Sequence, residues 1–339
     1  MWASWLDNWD EQKAAEDDVN KLTVGMELGS DLAFPFADST PTLASMVQLV
    51  KTRCADSVRF YSAEGPAYAF SFESGVLSFR SAVVTETDAN NVVIAQVTEG
   101  RNRRNAVIIL PHWNAPAGAY RSLAGHFSRF GLTVAELSLP YHGPRSRPGA
   151  AIADYFLSPN VGRTIRSVRQ SVIDTRGVID WLCQRGYRNI GLIGMSLGSC
   201  IAGLVSAHDS RIRASALLLT AGDFGEVVWT GRATRHIQES LSRSISLKEL
   251  RDLWSIISTG TFARGLSRTD HKTMIISGSR DQVVKPYLTR RFISQLRDSA
   301  ASCEWRELGC GHYSLAMFPF SIRTFVLLLR FLNKTHLLR

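Results

Sequence analysis

Residues 189–206 read N-I-G-L-I-G-M-S-L-G-S-C-I-A-G-L-V-S. Residues 190–193 form a short apolar run of the buried-strand type. Gly194-Met195-Ser196-Leu197-Gly198 follows at once, and Leu197, Ile201, Leu204 and Val205 then recur at helical spacing. A G-x-S-x-G segment wedged between a strand and a helix leaves the chain few ways to fold. The turn must be sharp, its serine must adopt a strained backbone conformation, and neither flanking position has room for a side chain. A serine held this way projects its hydroxyl above the C-terminal edge of a sheet. Ser196 is therefore expected to be a nucleophile rather than a structural turn serine.

The surrounding pattern supplies such a sheet. Residues 106–110 form a continuous apolar strand, 117–130 a helix and 132–139 a strand. Residues 163–184 form a long helix with Ile165, Val168, Val172, Ile179 and Leu182 on one face. Beyond the serine helix come strands at 214–220, 273–277 and 301–308, and helices at 286–297 and 318–332. Strands alternating with helices predict an α/β fold, a mostly parallel sheet covered by helices on both faces. Ahead of it, residues 68–72, 76–84 and 92–97 alternate with period two and predict consecutive antiparallel strands. Residues 223–268 are polar, mostly helical and lack a core strand, as expected of a cap insertion folding over the site. Residues 1–65 carry Trp2, Trp5 and Trp9 on a polar background, then Glu16-Asp17-Asp18, then helical spacing at Leu43, Met46, Val47 and Val50. They predict an N-terminal helical extension packed on a main domain at 66–339, with an oligomerisation arm as the alternative.

A chain of 339 residues can bury a sizeable core as one large domain. The net charge of +9 raises the question of nucleic acid. The basic residues are scattered, however, and the one compact run, Arg101, Arg103 and Arg104, falls between two strand-like segments as a solvated turn. No nucleic-acid partner is expected; the charge favours anionic substrates by steering. Cys54, Cys183, Cys200, Cys303 and Cys310 are odd in number and contain no C-x-x-C pair, so they predict free thiols in a reducing cytoplasm. No apolar run approaches the ~20 residues of a membrane span. The first residues lack the basic and apolar segments of a signal peptide, so none is expected. The excess of arginine over lysine hints at a bacterial source. The oligomeric state is not encoded in any motif, and a homodimer is compatible with the sequence.

Ligands of an open α/β sheet sit outside the carboxyl ends of its strands, so useful side chains should directly follow strands. A serine hydroxyl needs an adjacent base, itself oriented by a third group. His208 and His271 lie at the wrong end of the sheet, and His126 and His236 fall inside helices. His312 follows the last strand in the glycine-rich Leu308-Gly-Cys-Gly-His312 and is the expected general base. Two carboxylates follow strands, Asp281 and Asp223. Asp281 is favoured because the turn into Val283, Val284 and Pro286 holds it at the sheet edge, whereas Asp223 suits a helix cap.

The order Ser196, Asp281, His312 resembles that of the α/β-hydrolases, and the resemblance covers residues 92–332. It implies a sheet of about eight strands with a helical cap. It also implies hydrolysis of a carboxylic ester or related acyl bond through an acyl-enzyme, without cofactor or metal. Some dienelactone-hydrolase-like and acetyl-esterase-like members are similar in size. A thioesterase, amidase or lactonase on the same fold is the alternative, and a non-catalytic hydrolase-like binding protein a more distant one. The family's oxyanion hole uses the N–H after the nucleophile, here Leu197, and one from the loop after the strand ending at Leu110. Relatives commonly have His-Gly-Gly there. This chain has Pro111-His112-Trp113, with Trp113 the expected donor and His112 the alternative. Pro140-Tyr141-His142-Gly143-Pro144-Arg145 also follows a strand and resembles a loop of some poorly described bacterial hydrolases. Tyr141, His142 and Arg145, with His112, are the candidate pocket residues, and Arg145 or Arg147 the candidate partner of an anionic substrate group. The plainer reading of the loop is a turn that redirects the chain. His112 and His142 lack the further ligands a metal would need, so none is expected.

Overall fold

The computed structural model describes residues 2–19, 24–34, 42–63, 68–150 and 152–338. The expected domain boundary near 65–66 lies outside them. Nine strands form one sheet: β1 (Ser71–Glu73), β2 (Val76–Arg80), β3 (Val92–Thr98), β4 (Asn105–Leu110), β5 (Thr133–Leu137), β6 (Asn189–Met195), β7 (Ile212–Leu218), β8 (Lys272–Gly278) and β9 (Cys303–Leu308). Their order is β1-β2-β3-β5-β4-β6-β7-β8-β9. The stretch from β5 to β9 is parallel throughout, while β1, β2 and β3 pair antiparallel at one edge.

The helices, in chain order, are α1 (Trp2–Val19), α2 (Ser30–Ala33), α3 (Leu43–Ala55), α4 (Ser57–Phe60), α5 (Arg121–Arg129), α6 (Val161–Gln184), α7 (Leu197–His208), α8 (Phe224–Thr230), α9 (Arg235–Leu241), α10 (Leu247–Leu253), α11 (Pro286–Asp298) and α12 (Phe320–Lys334). The alternation of the strands sorts them onto two faces. Ala106, Ile108 and Leu110 of β4 pack in one apolar cluster with Val168 and Val172 of α6 and Ile201 of α7. Val107 and Ile109 point the other way, to Phe127 of α5 and Leu328 of α12. Every position of β4 is buried, which is why the sequence there is an unbroken apolar run rather than an alternating one.

Expected and observed elements differ mainly at the antiparallel edge. The hairpin is shorter than the period-two pattern predicts: Tyr68 and Phe70 lie outside β1, and β2 stops at Arg80. Ser81 N–H still donates to Asn91 O at 2.9 Å, but beyond it the backbone turns to side chains, Val83 N–H donating to Ser81 Oγ at 3.2 Å and Thr85 N–H to Asn91 Oδ1 at 2.7 Å. Tyr68 and Phe70 still pack edge-on against Phe79, with centroids 4.9 and 5.1 Å away, so their apolar spacing serves packing without ladder pairing. With this hairpin the sheet has nine strands where about eight are expected.

The topology marks the site. The chain leaves β4 through α5 to β5 on one side, and later leaves β6 through α7 to β7 on the other. The loops after β4 and β6 therefore diverge, opening a crevice at the carboxyl ends of these adjacent strands. Between β7 and β8 the chain is helical, with α8, α9 and α10 followed by a 3₁₀ run at Thr259–Leu266. Asp223 caps α8, its carboxylate accepting Glu226 N–H at 2.9 Å. No described helix is long and apolar enough to cross a membrane.

Candidate active site

Ser196 occupies the hinge between β6 and α7 with φ 52° and ψ −115°. That conformation is sparsely populated for a residue with a Cβ and persists where the surroundings over-determine it. The surroundings are tight. A Cβ on Gly194 would stand 2.3 Å from Gly198 O, and one on Gly198 would stand 2.0 Å from Leu110 O. The second contact also seats the turn against the end of β4, so the loop beginning at Pro111 lies beside the serine. Because α7 begins at Leu197, that N–H has no intrahelical acceptor.

The loops after β8 and β9 are tied to each other. Ser279 N–H donates to Leu308 O at 2.8 Å and Arg280 N–H to Cys310 O at 3.0 Å. Asp281, 1% exposed, uses both carboxylate oxygens. Oδ1 accepts the N–H groups of Val283 and Val284, each at 2.8 Å, and Oδ2 meets His312 Nδ1 at 2.8 Å. A carboxylate only accepts, so Nδ1 carries the proton and Nε2 is left as an acceptor. Nε2 lies 2.9 Å from Ser196 Oγ. Three side chains spread over 117 positions, from Ser196 to His312, thus form a continuous relay from carboxylate to imidazole to hydroxyl. The two histidines at the opposite end of the sheet are engaged there: His208 with Leu204 O and Ser57, His271 with Ser215.

The loop after β4 carries His112 and Trp113. The Trp113 indole N–H donates to Ala153 O at 3.1 Å, and its ring stacks on His236 of α9 at 6.3 Å and 10°. His112 is partly buried, with Nδ1 2.7 Å from the Tyr120 hydroxyl. Burial holds its pKa below the ordinary value, the neighbouring His312 adds to this, and Asp17 opposes it.

The loop after β5 is a different case. Arg145 is fully buried: its guanidinium donates to Asp174 Oδ2 at 2.8 Å, to Asn90 O at 2.7 Å and to Ser138 O at 3.0 Å. Ser81 Oγ–H donates to the other oxygen of Asp174 at 2.7 Å. Arg145 is thus spent inside the fold and does not present a charge to a substrate. Arg147 pairs with Asp154 at 2.9 Å and lies over the Tyr155 ring at 3.7 Å. Tyr141 takes φ 62°, and its buried hydroxyl joins Glu86 at 3.3 Å and Arg166 at 3.1 Å. His142 faces inward too. Its Nδ1–H donates to Pro140 O at 2.7 Å, and its Nε2 accepts Asn114 N–H at 3.0 Å. The expectation that Tyr141, His142 and Arg145 line a substrate pocket gives way to a bracing role. The loop after β5 holds the loop after β4, since a residue directly following a strand is available to ligand only if nothing nearer claims it.

Burial pushes the His142 pKa down to about 4, and that of His271 likewise to about 4. Both native values lie below the ordinary 6.5, so the unfolded chain takes up these protons first as pH falls. The stability they allow is complete above about pH 6.5 and is lost progressively toward pH 4, by about 3 kcal/mol per ring at about 1.4 kcal/mol per pKa unit. Urea unfolding across this window should show the loss, with a shallower slope in His142→Gln. An identical slope would mean that the ring is already charged in the folded protein.

An apolar cavity of about 550 Å³ lies between α5 and α12, lined among others by Tyr120, Leu123, Met195, Leu315, Phe325 and Leu328. Ile193 and Met195 of β6 both line it, and none of Ser196, Asp281 and His312 does.

The sheet order, the strained serine after β6 and the covering helices define the α/β-hydrolase fold. Comparison with known structures bears on this directly. An acetyl xylan esterase from Paenibacillus sp. R4 is similar over 89% of this chain and 98% of its own, with TM-score 0.58 and 13% identity. A Pyrococcus furiosus esterase is similar over 88% and 96%, with TM-score 0.54 and 13% identity. The acylaminoacyl peptidase of Pyrococcus horikoshii is similar over 80% of this chain but 42% of its own, with TM-score 0.58 and 11% identity. No protein-family model matches the sequence. Two curated Mycobacterium tuberculosis proteins, both described as uncharacterized, are 31% identical to it over 107 residues. That match spans 31% of this chain and about a quarter, 26%, of the curated relatives.

One part of the site has no counterpart in the sequence reading: α1. Asp10 reaches the loop just beyond His312, and Asp18 contacts His236 beside Trp113. In sequence the acidic residues of α1 stand out only as the cluster Glu16-Asp17-Asp18 within an extension expected to pack on the main domain. The available signal is that Asp7, Asp10, Glu11, Asp17 and Asp18 share one side of the helix with Ala14.

Proposed function

We propose that this chain is a serine hydrolase that cleaves a carboxylic ester through an acyl-enzyme. The observation that carries the reading is the relay Asp281–His312–Ser196, with 2.8 and 2.9 Å links in the tautomer that leaves Nε2 free to accept. His312 takes the Ser196 proton as Oγ attacks the substrate carbonyl. The oxyanion is received by the N–H of Leu197, at the start of α7, and by that of Trp113, in the loop seated against the turn. The imidazolium gives its proton to the departing alcohol. A water then enters, His312 takes its proton, and the acid is released with Ser196 restored. Five free cysteines fit a reducing cytoplasm.

The similar structures include proteins named as esterases and one named as a peptidase, and both bonds break by this acyl transfer. The test is a fluorophosphonate probe followed by matched ester, thioester and amide substrates. Labelling should map to Ser196, and the ester should be turned over fastest. A faster thioester or amide would move the assignment to a thioesterase or amidase. Failure to label a folded protein would favour a binding role.

A further inference from the structure

We infer that Asp10 of α1 is a positioning residue for His312, so that the N-terminal helix completes the active site. The inference rests on the reading of Ser196, Asp281 and His312 given above. The loop that carries His312, Leu308-Gly309-Cys310-Gly311-His312, holds two glycines and has little intrinsic stiffness. Something must fix the imidazole between its carboxylate and its hydroxyl.

Asp10 is 3% exposed, and its described side-chain hydrogen bonds go to the two residues just beyond His312. Its Oδ1 accepts the N–H of Tyr313 at 2.7 Å and that of Ser314 at 3.1 Å. Its Oδ2 accepts the Ser314 hydroxyl at 2.5 Å. Ser314 Oγ in turn accepts Gly311 N–H at 2.9 Å. The residue before His312 and the two after it are therefore all referred to one carboxylate. Gly311 also lies against it, where an added Cβ would stand 2.4 Å from the Asp10 carboxyl carbon. Hydrogen bonds to an ionised acceptor are shorter and stronger than neutral ones, and a buried carboxylate with three donors holds its geometry firmly.

The rest of the acidic face fastens α1 around this point. Asp7 pairs with Arg280, adjacent to Asp281, at 2.6 Å. Asp17 accepts the Tyr313 hydroxyl at 2.5 Å. Glu11 pairs with Arg232 at 2.5 Å, and Asp18 meets His236 Nδ1 at 2.5 Å. Ala14, between them, packs with Ala233, Val283 and Tyr313. One helix face thus bridges the Asp281 loop, the His312 loop and the insertion.

The test uses the full chain with Asp10→Ala, Asp10→Asn and Ser314→Ala. The measurements are kcat and KM on a p-nitrophenyl ester, thermal unfolding, and the far-downfield proton resonance of His312 Nδ1 bonded to Asp281, assigned with His312→Gln. A small displacement of a reacting group lowers rate steeply, so Asp10→Ala should lower kcat by about 10²-fold with KM little changed. Asparagine keeps Oδ1 as an acceptor for both N–H groups, so Asp10→Asn should recover most of the rate and keep the downfield proton that alanine loses. Wild-type kcat and an unshifted proton in Asp10→Ala would overturn the inference, as would equal losses in both Asp10 variants with that proton in place. If Asp10→Ala does not fold, Ser314→Ala, which frees Gly311 N–H, carries the same comparison. Absence of turnover by the wild type would count against the proposed function alone, because the proton signal still reports whether Asp10 fixes the ring.

Discussion

Ser196→Ala should lower kcat toward a p-nitrophenyl ester by about 10⁴–10⁶-fold while the protein folds as before. The side chain's described hydrogen bond is to His312, and the turn is held by its backbone, Ser196 N–H donating to Leu218 O at 2.9 Å. Circular dichroism and a melting curve would establish that only chemistry is lost. Asp281→Asn makes a sharper companion. Its Oδ1 still accepts Val283 and Val284 N–H, but an amide NH₂ facing His312 Nδ1 forces the ring proton to Nε2, toward the serine. A fall of about 10⁴-fold in kcat is expected from that tautomer change alone. Turnover by Ser196→Ala at the wild-type rate would remove the nucleophile assignment.

The second large effect concerns stability. Arg145 and Asp174 form a fully buried ion pair, both side chains 0% exposed. Removing one partner strands the other charge away from water, which costs about 3–5 kcal/mol where such pairs have been broken. Arg145→Ala should show this as a lower urea midpoint with an unchanged m-value. Arg145→Ala with Asp174→Ala should recover part of it, because no lone charge remains. The residual loss reports Ser138 O without this donor, Asn90 O left with Gln170 Nε2 at 3.2 Å, and a Ser81 O–H without its acceptor. If the single variant is as stable as wild type, Arg145 is not the anchor of the loop after β5.

The parallel sheet and the order of the relay residues were legible for local reasons. A strand buried on both faces writes itself as an apolar run, and G-x-S-x-G needs only its immediate neighbours to be recognised. Arg145 departs from its expected pocket role because its partner lies on α6, 29 positions further on, and nothing in either neighbourhood reveals the pair. A strand-end position predicts access to the crevice, but a nearer carboxylate settles where the charge goes. The Tyr68–Phe70 alternation mimics a strand, since packing against Phe79 and ladder pairing leave the same period-two trace. Asp10 escaped notice for the opposite reason. Carboxylates on an amphipathic helix usually face water, and the loop that Asp10 serves lies 303 positions away at Tyr313.

The attachments of α1 have a practical side. Its one-sided row of carboxylates resembles a dispensable leader, and the beginning of a chain is where purification tags are placed and trimming is tried. Here that end is bonded to the neighbours of both Asp281 and His312. A preparation shortened past residue 10 should be slow even where every bulk criterion shows it folded, and the fault would lie in how it was made rather than in its substrate.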